Sequence, residues 1–422
     1  MIWVSRGDLV NLALQLGRLL LLAPLCLVTA AMWAQQPDKD KKPAPLPPVN
    51  PAVARLAETF SGLDGPAFDL AAGNDDTIAV ACEHGTIQLY RKVVEKEAVK
   101  KDPKDAKDAV KDAKDAKDAK KDAVKDAKDA KDAKKDAKDA KVAKDKQEPP
   151  VAKPPVWVKA ESIKAHQGPV VALAWSGGPV MASAGADKKI AFWKMPEGKA
   201  MQTVPAAARV RCLAMSNDGK WLASAGEDGD VQLWDAASAK PGPKLADHKD
   251  WVICLAFNPE GKQLASGSID GTIKIWDVAG AKKVADLPFK APPDKKTPPP
   301  DPVPVRSLAF APDGKTLFYG TADGPIHVLN NPGDGKSIRT LAGHTSAVTA
   351  IRFHPSGTLM ATSSKDRTVL LWNPAQPAPI KKLEGHTAWI EGLAFVNQGQ
   401  QIATASADQT MRLWDLTEPK KK

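Results

Sequence analysis

Apolar residues along most of this chain come in short bursts, each closed by turn residues. The stretch 248–277, HKDWVICLAFNPEGKQLASGSIDGTIKIWD, shows the pattern whole. VICLAF (252–257) is an apolar run of strand length. NPEGK follows, with Pro259 and Gly261 as turn punctuation. QLASGS (263–268) reads as a second strand dense in small residues. IDG turns again, and TIKIWD alternates as a third strand. A fourth strand precedes the next burst. Small residues in the middle strand suit a crowded face between neighbouring sheets.

The pattern repeats. Trp193, Trp234 and Trp276 stand at steps of 41 and 42 residues, and Trp372 and Trp414 are again 42 apart. Between Trp276 and Trp372, Leu329 in GPIHVLN fills a missing slot, and Tyr90 in GTIQLY fills another upstream. That makes seven units of roughly 42 residues, the period of a propeller or solenoid. One such sheet cannot bury both faces. It must stack on the next, and seven in a ring leave only short, protected edges.

The units carry Gly343-His344 and Gly385-His386 near their starts, and Trp234-Asp235, Trp276-Asp277 and Trp414-Asp415 at their ends. In these residues the chain resembles the WD40-repeat family, over roughly 53–416 apart from one insertion. The resemblance implies an all-β, seven-bladed β-propeller that serves as a platform for protein partners. It also implies a role for four recurring polar quartets: His166, Ser183, Asp187 and Trp193; His248, Ser266, Asp270 and Trp276; His344, Thr362, Asp366 and Trp372; His386, Thr404, Asp408 and Trp414. Ser, His and Asp together invite a hydrolase reading. Catalysis needs one triad, however, and the family pattern makes each quartet a structural staple in which Asp holds His, His holds the hydroxyl, and the hydroxyl holds the indole N–H. A buried indole N–H needs an acceptor, and a buried imidazole needs its tautomer fixed. No G-x-S-x-G elbow supports a nucleophile.

Three units depart from the pattern. The third keeps Ser224, Asp228 and Trp234 but has Ala206 where His is expected. The fifth has Tyr319 in the hydroxyl slot and Leu329 for Trp. The first has His84 in the Asp slot, Val80 in the hydroxyl slot and Tyr90 for Trp. These blades are expected to rely on apolar packing. PAVARLAETF (51–60), with strand-like VARLA, is expected to supply the outer strand of the seventh blade and so lock the ring.

Composition alters the picture at the edges. Residues 1–18 carry Arg6, Asp8 and Arg18, followed by the apolar run LLLLAPLCLVTAA (19–31) and a Pro-rich polar tail. That order reads as a signal peptide cleaved after Ala30 or Ala34, and the run is short for a membrane span. An uncleaved anchor and a cytoplasmic chain are the alternatives. Leu25 ahead of Cys26 argues against a lipid-modified cysteine. The chain divides into a leader at 1–34, a Pro-rich linker at 35–51 and a propeller at 52–416, with an insertion at 95–155. Four cysteines, three of them beyond the leader, exclude a disulfide framework. The net charge of +10 owes much to residues 100–146, built from KDAKDAKDAKKDAV. Lys and Asp nearly cancel there and nothing large and apolar is present, so this charged, low-complexity insertion between blades one and two has no core. It reads as a solvated, partly helical arm, or else as a spacer or self-association coil. Interleaved Asp and missing aromatics argue against nucleic-acid binding. LPFKAPPDKKTPPPDPVPV (286–304) is a second, stiff insertion.

In the resembled family, partners often dock on the face that carries the short loops before each innermost strand. Trp251 and Trp389 lie in such loops and are candidate anchors, or else rim aromatics packed on the next blade. Arg211, Arg306 and Glu391 fall just inside innermost strands and are expected at the same mouth, with Lys365 and Glu227 nearby. The mixed signs argue against a simple phosphate or acidic-protein trap. A cofactor or metal is not expected, because CxxCH, HExxH, calcium-loop and P-loop motifs are all missing. The leading expectation is a non-catalytic protein-binding scaffold. An envelope-associated structural protein and a propeller enzyme are the rivals, and oligomeric state is not readable.

Overall fold

The computed structural model describes residues 48–74, 76–93, 156–288, 302–332 and 337–418. The leader, most of the linker, the Lys/Asp/Ala-rich insertion and most of the proline loop lie outside the described residues. Among those described, 28 strands form seven four-stranded antiparallel sheets. Six take their strands in chain order. Blade one, for example, runs Ala67–Ala72, Thr77–Cys82, Thr86–Val93 and Val156–Lys164. Each innermost strand packs beside those of its two neighbours, and the first packs beside the seventh, so the sheets close into a ring. This is a seven-bladed β-propeller.

The core lies between blades, where the repeat pattern puts it. One cluster joins Ala223, Val231 and Leu233 of blade three to Leu264 and Trp276 of blade four. Another joins Ala182 and Phe192 of blade two to Leu222 and Trp234 of blade three. The small residues of each second strand are fully covered: Ala182, Ala223 and Ala265 all have 0% exposure. Their size lets the bulky third-strand side chains of the adjacent blade come close.

The seventh blade is closed by the N-terminal strand. Arg55–Ser61 lies antiparallel against Thr410–Asp415, with Arg55 opposite Asp415 and Ser61 opposite Thr410. The strand starts later than VARLA suggested. Pro51–Val53 forms a 3-10 turn, because Asn50 accepts the Ala52 N–H and Pro51 needs no partner at the first position. Phe60 then reaches the first blade and packs edge-on against Tyr90, with ring centroids 5.1 Å apart.

The insertion leaves and re-enters at one point. Val93 pairs directly with Val156, and the antiparallel ladder runs on to Thr86 opposite Lys164 with one bulge between Leu89 and Tyr90. The turn between the second and third strands of blade one, which packs against the His166 backbone, needs Gly85. Its φ is +79°, and a Cβ there would sit 2.2 Å from the His166 carbonyl oxygen. Among the described residues, no helix is long and apolar enough to cross a membrane.

Candidate functional site: four relays, a vacancy and the mouth of the ring

Four blades bring their quartets together. In blade two, His166 Nδ1 lies 3.0 Å from Asp187, His166 Nε2 lies 2.8 Å from Ser183 Oγ, and the Trp193 indole donates to that oxygen at 2.9 Å. The matching distances in blade four are 3.2, 2.7 and 2.8 Å. In blade six they are 2.8, 2.8 and 2.9 Å, and in blade seven 2.8, 2.8 and 3.0 Å. The proton order follows from the chemistry. A carboxylate only accepts, so Nδ1 carries the proton. Nε2 then accepts from the hydroxyl, whose lone pair takes the indole N–H. All four imidazoles are fully covered.

Each carboxylate also takes a backbone N–H from the residue after its histidine, as Thr345 N does to Asp366 at 3.1 Å and Thr387 N to Asp408 at 3.0 Å. Burial alone would raise the carboxyls of Asp270, Asp366 and Asp408. Hydrogen bonds from the histidines and from Thr272, Thr368 and Thr410 outweigh it and hold all three below the usual carboxylate range. Burial pulls the imidazoles of His166 and His386 below their ordinary value, against the opposing effect of Asp187 and Asp408.

The divergent blades differ among themselves. Blade one does not rely on apolar packing alone, as its sequence suggested. It holds the pair in reversed order: His84 Nδ1 lies 3.2 Å from Asp64, and Thr86 donates to the same carboxylate at 2.7 Å. The Tyr90 hydroxyl meets the Gln88 side-chain amide at 3.1 Å. Asp64 stands near the histidine slot of a unit with no Trp, so the exchange had no motif to reveal it. In blade five, Tyr319 fills the hydroxyl slot and stacks on His327 at 4.8 Å between centroids. Blade three keeps the bond from the Trp234 indole to Ser224 at 2.8 Å, but among the described residues no side chain bridges Ser224 and Asp228, which line one cavity.

The mouth of the ring has one construction repeated seven times. Every innermost strand carries a bulge after its first residue: the register skips between Val210 and Cys212, between Val305 and Ser307, between Ile390 and Gly392, and likewise in the other four blades. A bulged residue is left out of the ladder and its side chain is re-aimed. The seven skipped residues are Phe68, Val171, Arg211, Ile253, Arg306, Thr349 and Glu391. All line one axial cavity of about 620 Å³. Arg211, Arg306 and Glu391, expected at the mouth, are thus three members of a single ring. Phe68, Val171, Ile253 and Thr349 were missed because a bulge looks like ordinary strand in sequence.

Trp251 and Trp389 border the same cavity at 38% and 52% exposure. Each carries a cation from the preceding blade. The Arg211 guanidinium lies 4.8 Å from the Trp251 ring centroid and pairs with Glu227 at 2.7 Å. Lys365 Nζ lies 4.0 Å from the Trp389 centroid and 3.7 Å from Glu391. Acid, cation and indole thus recur on opposite sides of the ring. Arg306 differs: it lines the same cavity but forms no ion pair among the described residues. Asp69, on the cavity wall, is pushed up to about 6 by burial, against N–H donors from Leu173 and Leu70 and the charge of Arg352. Cys212 and Cys254 are buried free thiols one residue past the bulges, and burial pushes both up. No cluster of His, Cys, Asp and Glu suited to a metal occurs among the described residues.

Comparison with known proteins agrees with this geometry. The family described as WD domain, G-beta repeat matches residues 157–194, 198–235, 239–277, 335–373 and 377–415. The unmatched blades are those centred on Tyr90 and Leu329. The nuclear distribution protein nudF of Emericella nidulans is 28% identical over 192 residues, which are 45% of this chain and 36% of that protein. The nuclear distribution protein PAC1 of Arthroderma benhamiae is 30% identical over 202 residues, 47% of this chain and 36% of that protein. Protein Mut11 of Chlamydomonas reinhardtii is 51% identical over 37 residues, 9% of this chain and 10% of that protein. The chain thus spans about a third of the length of the nudF and PAC1 relatives. Seven stacked four-stranded blades, four of them with an Asp–His–hydroxyl–Trp relay, and five matched repeats lead to one assignment: this chain belongs to the WD40-repeat family of β-propellers.

Proposed function

We propose that this protein is a non-catalytic scaffold that binds a protein segment in the bulge-built mouth of its ring. The observation that carries the reading is the unpaired Arg306 among compensated charges. Arg211 has Glu227 and Lys365 has Glu391, whereas Arg306 forms no ion pair among the described residues and can meet an incoming carboxylate. Phe68 and Val171 give the partner an apolar wall on the same cavity, and the two indoles give aromatic anchors at its rim. The expected ligand is a segment with an acidic side chain flanked by apolar ones. The leader-like segment 1–34 supports a place outside the cytosol, which cell fractionation tests. The nuclear role in the names of nudF and PAC1 is not carried over, since only a third of those proteins is matched.

The test is affinity capture with the full chain, set beside Arg306→Ala, Trp389→Ala and, on the opposite end of the ring, Lys262→Ala. Loss of one partner of a buried charge pair costs about 2–5 kcal/mol, so Arg306→Ala should weaken the captured partner roughly 30-fold or more. The Lys262 variant should capture as the wild type does. A partner retained by both mouth variants would place binding elsewhere and overturn the reading.

A further inference from the structure

The vacancy in blade three is a cavity with a defined shape and two preserved polar ends. In blades two, four, six and seven the histidine stands four residues ahead of the first buried residue of the innermost strand: His166 before Val170, His248 before Val252, His344 before Val348 and His386 before Ile390. Ala206 stands four ahead of Val210. The backbone agrees. The His166 N–H donates to the carbonyl of Gly85, the turn residue after the Asp slot of the preceding blade, at 3.0 Å. The Ala206 N–H donates to Lys188, the corresponding residue one blade on, at 2.9 Å. Ala206 therefore occupies the histidine position in space as well as in sequence, with the ring cut off at Cβ.

Both partners of the missing ring remain. Ser224 Oγ still accepts the Trp234 indole at 2.8 Å, and its own proton has only a long contact with the Gln232 carbonyl at 3.5 Å. Asp228 receives one backbone N–H, from Asp230, at 3.4 Å. The buried carboxylates of the complete blades hold an imidazole as well. The space between opens to the side of the propeller as a cavity of about 470 Å³, lined by Ala206, Ser224, Asp228 and Trp234 and walled by the outer strand of blade two. It lies away from the axial mouth and shares no lining residue with it.

We propose that this cavity is a binding site for the histidine side chain of a partner segment, whose imidazole restores the relay in trans. Nδ1–H of the incoming ring donates to Asp228, and its Nε2 accepts from the Ser224 hydroxyl, as in the four complete blades. The cavity is much larger than one five-membered ring, so a ring arriving on a peptide fills it better than a free one. The carboxylate and the hydroxyl demand one donor and one acceptor on opposite sides of the ring, which only an N-unsubstituted imidazole offers. The site is independent of the axial mouth, and its failure would leave the scaffold reading untouched.

The test follows the Trp234 indole N–H in a nitrogen-edited NMR spectrum of the full chain, assigned with Trp234→Phe. The probes are 4-methylimidazole, as the side-chain surrogate, and a capped Ala-His-Ala peptide. For a fragment of this size the surrogate should bind with Kd on the order of 1–10 mM, and the peptide more tightly. 1-Methylimidazole, which has no N–H to give Asp228, should bind about tenfold more weakly. Asp228→Asn, an exposed position that leaves the fold intact, should weaken both probes about tenfold. Ala206→His should abolish the response and raise the melting temperature. Equal binding of 1-methylimidazole, unchanged binding by Asp228→Asn, or no shift with either probe would overturn the proposal. Binding of the ring without the peptide would overturn the peptide as its source.

Discussion

Thr362→Val tests the relay where it is most completely buried. The hydroxyl of Thr362 serves two groups at once, accepting the Trp372 indole at 2.9 Å and donating to His344 Nε2 at 2.8 Å. The Trp372 and His344 side chains are both fully covered, so neither orphaned group can turn to water. Valine keeps the shape and suits a strand but removes the oxygen. An unsatisfied buried polar group costs about 1–3 kcal/mol, and here there are two, so the loss should be about 2–5 kcal/mol. For a cooperative unit of roughly 290 residues that lowers the melting point by about 3–8 °C, read by calorimetry. Thr362→Ser keeps the hydroxyl and should recover most of the loss. Ser224→Ala makes the comparison sharper. In blade three the hydroxyl serves only the Trp234 indole, beside a cavity that admits water, so the cost should be about 1 kcal/mol. Equal losses for Thr362→Val and Ser224→Ala, or a Thr362→Val melting point within about 1 °C of the wild type, would refute the two-bond bridge.

The same relays set the response to acid. The carboxyls of Asp270, Asp366 and Asp408 sit below their ordinary range in the folded state, so their stabilisation is present above an unfolded pKa of about 4 and fades as pH falls below it. Burial holds His166 and His386 below their ordinary value, so the unfolded chain takes up their protons first and stability declines once pH drops below about 6.5. The urea midpoint should be level from pH 8 to 7, fall from about 6.5, and fall more steeply below 4. Asp69, pushed up to about 6 by burial, gains a proton on folding and offsets part of this decline between about pH 6 and 4, so a midpoint that still rises between pH 7 and 5 in an Asp69→Asn variant would show the imidazoles gaining protons on folding. Cys212 and Cys254 are buried and their thiols pushed up, so they should resist a thiol reagent in the native protein and react only in denaturant. Prompt native labelling of either would contradict the packing of the innermost strands.

The sequence spoke most clearly where one short pattern carried the structure. Five Trp at near-constant steps located five blades, and the quartets at matching offsets are the ones the fold brings together. Legibility failed where structure depends on residues far apart or on backbone detail. The axial cavity gathers one bulged side chain from every blade, each at least 40 residues from the next in sequence. Nothing in VVALAW or VICLAF marks Val171 or Ile253 as unpaired. The exchange of Asp64 and His84 broke the offset on which the quartets were recognised. Lys274 was not foreseen either. Its ammonium is covered because Asp247 and Asp286 flank it at 2.7 and 2.8 Å, an arrangement that needs the outer strand in place. Ala206 is the reverse case. Its departure was visible in the sequence, but an alanine says nothing about the volume left beside it.

The closing strand imposes an order on synthesis. Ser61 cannot meet Thr410 until about 350 further residues have been made, roughly 20–70 s at ribosomal speeds of 5–20 residues per second. Blades two to six each contain strands adjacent in the chain and can assemble as they emerge. Arg55–Ser61 must wait throughout with one edge open for pairing, although Phe60 can meet Tyr90 as soon as blade one is made. The nascent chain therefore carries an unpaired strand edge for nearly its whole production. A premature stop within the last blade would leave that segment without a destination, and such products should be cleared or aggregate rather than persist as six-bladed rings.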